Sequence, residues 1–237
     1  QINNYKEDLK ESKLIYIKNL KYKYSEKSKY ILNDFNLTIS KGEFIGIIGE
    51  SGSGKSTLVD LLMGLLTPSS GEISIDNINI ISDKSSWQKK IGYVPQNIFL
   101  TDDSIKNNIA FGIQENKIDE LKLNKAIKDS QLKFFIDSLE IGYNTKVGER
   151  GAQISGGQLQ RIGIARALYN NPEILIFDES TASLDTSTEN GILDSIRRLK
   201  GEKTILMISH RFSSLKDCDK IFEIKNGKIV VEKTKIK

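Results

Sequence analysis

Residues Gly49 to Thr57 read Gly-Glu-Ser-Gly-Ser-Gly-Lys-Ser-Thr and match G-x-x-x-x-G-K-S/T at every position. No other stretch limits the fold so strongly, because the pattern functions only between a buried strand and a helix. Glycines let the backbone of Gly49, Glu50, Ser51, Gly52, Ser53 and Gly54 curl so that successive amides face inward and cradle phosphate oxygens. Lys55 supplies a point charge for the β- and γ-phosphates, and the Ser56 hydroxyl is placed to ligate Mg²⁺. The run from Thr57 to Leu66 is apolar at helical spacing, so its start adds partial positive charge beneath the same phosphates. On the other side, Phe44-Ile45-Gly46-Ile47-Ile48 has the continuous apolar character of a buried parallel strand. A nucleoside triphosphate site follows from this context rather than from the glycines alone.

With 237 residues, the chain is long enough for one large domain or two small ones. A hydrophobic content of 38% with 28% charged residues is ordinary for a globular protein. No apolar run approaches the roughly 18–20 residues of a membrane-spanning helix, and the polar start lacks the pattern of a secretory signal. Opening at Gln1 instead of Met is what a domain excised from a longer protein would show. The net charge of +4 is scattered lysine without the clustering of a nucleic-acid surface, so no nucleic-acid partner is expected. Cys218 is the single cysteine, which excludes an internal disulfide and favours a small hydrophobic role in a cytosolic setting.

The pattern divides the chain into a polar linker (1–12), a core with a β-rich part (13–96 and 161–237) and a helical insertion (97–160). Alternation at Leu14, Tyr16, Lys18, Leu20, Tyr22 and Tyr24 predicts a half-buried antiparallel strand. Phe35–Ile39, Glu72–Asp76 and Ile91–Val94 read as further strands. Residues 104–140 read as helical, with Leu121, Ala126, Leu132, Phe135, Ile136 and Leu139 near a 3.6-residue period. A helix is expected from Gly157 to Tyr169, stopped by Asn170-Asn171-Pro172. Apolar strands at Ile174–Phe177 and Thr204–Ile208 flank a helix over 187–200, and Asn226-Gly227 marks a hairpin. The fold class is therefore α/β: a phosphate-loop NTPase core with a parallel central sheet, an N-terminal antiparallel β part and an inserted helical part.

Ile174-Leu175-Ile176-Phe177-Asp178-Glu179 is a buried strand ending in two carboxylates. It delivers Asp178 to the sheet rim, where it can hold Mg²⁺, and directs Glu179 toward an attacking water. Ser155-Gly156-Gly157-Gln158 opens a helix. Ser155 alone would suffice as a cap, so the two glycines suggest contact with an anion.

With these motifs in this order, residues 14–233 resemble the nucleotide-binding domain of an ATP-binding cassette (ABC) transporter. Ser155 to Gln158 match its L-S-G-G-Q signature, here I-S-G-G-Q, which in the family closes over ATP held by a second subunit. The resemblance implies ATP and Mg²⁺ as ligands. It also implies that Tyr24 stacks on adenine, Gln96 senses Mg²⁺ and water, His210 contacts the γ-phosphate and Asp185 lies in a dimer-contacting loop. Read without the family, Tyr24 serves equally as an ordinary strand aromatic, Gln96 as a loop amide and His210 as a structural histidine. The family's S-A-L-D loop reads A-S-L-D here, with its serine moved to Ser183, which leaves a serine-mediated dimer contact in question. Catalysis is implied for Glu179, His210, Lys55 and Gln96, with Ser56, Gln96 and Asp178 at the metal. The implied partners are a second nucleotide-binding domain, as a homodimer, and a transmembrane domain of the same or another polypeptide, at the cytoplasmic membrane face.

Thr145-Lys146-Val147-Gly148-Glu149-Arg150-Gly151 resembles an exporter-specific loop, and Arg161 to Tyr169 resemble flippases for lipid-linked sugars. Three alternatives stand beside the exporter. An importer cassette is the nearest, disfavoured by residues 145–151. A DNA-acting ABC ATPase lacks support, because about a hundred residues without coiled-coil heptads separate Lys55 from Ser155, and a ribosome-associated one would carry two cassettes where this sequence shows one. A regulatory module with a dead site conflicts with intact Lys55, Asp178, Glu179 and His210.

Overall fold

The computed structural model describes residues 13–76, 78–148, 154–181 and 184–234. The expected linker at 1–12 and residues 149–151 of the exporter-like loop lie outside these, as do Ala182 and Ser183. The described strands are β1 (Lys13–Tyr22), β2 (Leu32–Ser40), β3 (Phe44–Ile48), β4 (Ser70–Ile75), β5 (Ile78–Asn79), β6 (Ile91–Val94), β7 (Ile174–Asp178), β8 (Thr204–Ile208), β9 (Lys220–Lys225) and β10 (Lys228–Thr234). The α-helices are α1 (Lys55–Leu62), α2 (Lys84–Lys89), α3 (Ile105–Ile109), α4 (Glu120–Asp129), α5 (Lys133–Asp137), α6 (Gly156–Leu168) and α7 (Thr186–Arg197).

Two sheets result. One is antiparallel with order β2-β1-β4-β5; the other has order β10-β9-β3-β8-β7-β6. In the second sheet β9, β3, β8, β7 and β6 run parallel, and β10 returns antiparallel along the edge. Strands β3 and β8 are buried at every residue, as a sheet covered on both faces requires. Their side chains alternate between two apolar clusters. Ile45, Ile47, Ile174, Ile176, Leu206 and Ile208 join α1 and the antiparallel sheet, whereas Phe44, Leu175, Phe177, Ile205 and Met207 join α6 and α7. The parallel sheet thus separates two cores, and the C-terminal ends of β3, β7 and β8 emerge side by side.

The alternation expected along β1 changes face midway. Ile15 and Ile17 are buried while Tyr16 and Lys18 are exposed, but Leu20 and Tyr22 are buried beyond Asn19, whose φ is 48°. The pairing with β2 shifts register between Ile17 and Leu20, so a bulge moves the apolar set from odd to even positions. The strand ends at Tyr22, leaving Tyr24 beyond it. The helical tract at 104–140 is broken into pieces. Gly112 and Gln131 adopt positive φ (80° and 57°), and Ser104 and Asp119 cap new starts at α3 and α4. Leu121 consequently faces solvent, and Leu123, Ala126 and Ile127 form the buried stripe of α4. α6 runs continuously across residues 160 and 161, where the sequence pattern predicts that insertion and core meet. The hairpin at Asn226-Gly227 forms as expected, with both residues at positive φ as a type I′ turn demands. Cys218 is buried and packed in the core, somewhat deeper than expected.

Candidate active site

Gly54 precedes α1 at φ 108°, and Gly52 has φ 77°, so the loop between β3 and α1 curls through conformations that side chains resist. A Cβ on Gly49 would fall 2.4 Å from the Ile224 carbonyl oxygen. The loop therefore lies tight on β9, and this closeness is why the first glycine is needed. Above it opens a cavity of about 410 Å³ lined by Tyr24, Ser51, Gly52, Gly54, Lys55, Ser56, Thr57, Gln96, Asp178, Glu179 and His210, with Ile31 on one wall.

Lys55 is buried, and its ammonium donates to the carbonyls of Gly49 (2.8 Å) and Glu50 (2.9 Å). Burial lowers its pKa, and the carboxylates of Glu179 and Asp178 oppose that shift. β7 and β8 bring the acidic end opposite. Asp178 is raised above the usual carboxylate range chiefly by burial, although the Tyr93 hydroxyl donates to it at 3.3 Å. Tyr93 itself is pushed up to about 12 by burial and by Asp178. Glu179 turns out of the strand at φ 49°, its amide donating to the Ile208 carbonyl, and Oε1 lies 2.5 Å from His210 Nε2. Glu179 and His210 are thus brought together from the ends of two adjacent parallel strands. Tyr24 stands at the mouth, 62% exposed, edge-on to Tyr22, and shares a hydrogen bond of 3.2 Å with the Thr57 hydroxyl.

The signature residues are elsewhere. Ser155 and Gln158 form a capping box at the start of α6, each side chain taking the other's backbone amide. A Cβ on Gly157 would sit 2.6 Å from Thr188 Cγ2, so this glycine has a packing reason within the chain as α6 meets α7. Gly156 is 3.4 Å from Leu184 by the same measure. Asp185 caps α7, accepting from the Ser187 and Thr188 amides and the Ser187 hydroxyl, and these bonds hold its pKa well below the usual range. Ser155, Gly156, Gly157, Gln158 and Asp185 therefore cluster near the α6 and α7 starts and do not line the cavity. Sequence reasoning found the Ser155 cap but missed Tyr93, Ile31 and the reciprocal Gln158 bond that makes a capping box. The last was legible as Ser-x-x-Gln; the first two depend on strand pairing and a loop approach that no local pattern carries.

Comparison with known proteins decides the family. The profile described as ABC transporter matches residues 32–182. The chain belongs to the ABC transporter family. Among ABC relatives, it is 43% identical over 217 residues to the leukotoxin export ATP-binding protein LtxB of Aggregatibacter actinomycetemcomitans, covering 91% of this chain and 30% of that protein. It is 43% identical over 214 residues to the exotoxin translocation ATP-binding protein PaxB of Pasteurella aerogenes, covering 90% and 30% respectively. Among solved structures, a bacterial Atm1-family ABC exporter with ATP bound superposes with a TM-score of 0.84 at 36% identity, over 94% of this chain and 39% of that one. The chain thus spans about 30% of the length of these curated ABC relatives. It is homologous to the ATP-binding proteins of ABC exporters. The relatives named here carry toxin export or translocation in their names, not lipid flipping. Among the described residues, no helix is long and apolar enough to cross a membrane.

Proposed function

We propose that this domain hydrolyses ATP to power export across a membrane, working as a dimer at the cytoplasmic face beside a transmembrane domain. The observation that carries the reading is the division of the site. The phosphate loop, Asp178, Glu179 and His210 share one cavity, whereas Ser155 to Gln158 stand apart on α6. A second copy presenting its α6 start would complete the cavity. Export relatives and the exporter structure support the direction of transport. The core (13–96 and 161–237) would hold nucleotide, and the helical part (97–160) would carry the signature.

Within the cavity, the loop amides and Lys55 would hold the β- and γ-phosphates, exchanging the carbonyls of Gly49 and Glu50 for phosphate oxygens. Ser56, Gln96 and Asp178 offer oxygen ligands within the cavity lining, and the burial of the Asp178 carboxylate fits Mg²⁺ held jointly with phosphates. When bound, Mg²⁺ would supply charge neutralisation at the phosphates. Glu179 would orient the attacking water, and His210, already in contact with Glu179, would bond the same water and the γ-phosphate. Tyr24 at the mouth would stack on adenine.

The test is ATPase rate against protein concentration for the parent and Glu179→Gln, with light scattering with and without ATP. A rate per chain that climbs with concentration, together with a Glu179→Gln protein that dimerises on ATP but does not turn over, supports the composite site. A flat rate per chain and no dimer of either protein would overturn it.

A further inference from the structure

Glu189, in the first turn of α7, is a buried carboxylate outside the lining of the nucleotide cavity. Its two oxygens are fully engaged. Oε1 accepts from Thr181 Oγ1 at 3.1 Å and from Ser214 Oγ at 2.7 Å, and Oε2 accepts from Arg211 Nη1 at 3.0 Å. Thr181 lies two residues after Glu179, and Arg211 directly follows His210. The carboxylate is thus tied to both turns that deliver the Glu179–His210 contact. The turn after β8 has further ties: the Arg211 amide donates to Ser209 Oγ, and the Ser214 amide donates to the Arg211 carbonyl. These are internal to the turn. The side-chain bonds to α7 fix it against the rest of the molecule.

Burying a carboxylate is costly unless it is paired and hydrogen-bonded, and a simple helix surface would need none. Charge-assisted bonds at three points provide both conditions. We propose that Glu189 is a positioning residue, holding the turns after β7 and β8 so that His210 meets Glu179; its catalytic consequence rests on the hydrolysis proposed above. These hydrogen bonds of Glu189 run to the two turns and not to the phosphate loop, so it acts on the geometry of the pair and not on the grip of the loop.

His210 is the only histidine, so its imidazole proton resonance reports the pair without interference. At one fixed pH, Glu179→Gln shifts that resonance in the parent, and the shift should shrink by more than half in Glu189→Gln or Arg211→Gln backgrounds. Turnover should fall about tenfold or more while KM for ATP stays within about twofold, since small displacements of reacting groups cost rate before binding. Arg211 is half-exposed, so its variant keeps the test open if Glu189 variants fail to fold. An undiminished Glu179→Gln shift in the folded Arg211→Gln and Glu189→Gln proteins would overturn the proposal. A parent without turnover would instead overturn the hydrolytic reading, with the resonance still deciding what Glu189 holds in place.

Discussion

At the scale of single residues, the site is defined by groups kept in states that water would not favour. Asp178 has its pKa raised by burial, so in the empty protein its charge opposes folding. The raised group binds its proton more tightly in the folded state, and the stability this brings is present in acid and lost as pH rises through the folded pKa. Asp178→Asn should therefore raise Tm at neutral pH by a few degrees, the scale of a modest free-energy change in a domain of this size. That advantage should fade on acidification toward the ordinary carboxylate range, as thermal melts across pH would show; an advantage that grew in acid would refute the assignment. Tyr24 allows a second test. If its ring is what ATP meets, Tyr24→Ala should weaken ATP binding about tenfold, given roughly 1–3 kcal/mol per stacked base, and Tyr24→Phe should not. Equal losses by titration would instead point to the hydroxyl bond with Thr57.

At the scale of elements, the tip of the β9–β10 hairpin is wedged beneath the phosphate loop. The Gly227 amide donates to the Ser53 carbonyl at 3.1 Å, the Gly227 carbonyl accepts from Asn33, and a Cβ there would meet the Ile31 carbonyl oxygen at 2.1 Å. Gly227→Ala should cost about 1–3 kcal/mol by denaturant melts, from overpacking at a positive φ, and should weaken ATP binding as the loop loses its support. The turn itself was legible, because Asn-Gly between apolar runs has few alternatives. Its destination was not, since nothing in residues 220–230 says that the tip reaches a loop near residue 53. The same contrast runs through the molecule. Lys55, Asp178 and the central strands were readable from local chemistry and continuous burial. The face switch at Asn19 and the fragmentation of 104–140 were not, because they depend on left-handed backbone at Asn19, Gly112 and Gln131 that the periodicity does not announce. Glu189 was hidden for a related reason: Arg211 and Ser214 reach it from a turn more than twenty residues away.

At the scale of the whole molecule, the separation of Ser155 from the cavity makes a prediction about pairs of chains. A Ser155→Arg protein and a Glu179→Gln protein should each be inactive alone. Mixed in equal amounts, they should recover up to about a quarter of the parental ATPase rate, because half the dimers are mixed and each of these carries one intact site of two. No recovery under conditions where both proteins dimerise would exclude a site shared between chains. The strand order carries a consequence for how the domain is made. β3, which launches the phosphate loop, pairs with β8 and β9 and with no strand nearer in sequence. During synthesis the loop would emerge early and wait, its strand unpartnered and its apolar residues exposed, until more than a hundred further residues had followed. A nascent domain should therefore be unable to grip nucleotide until β8 and β9 have emerged to flank Phe44–Ile48.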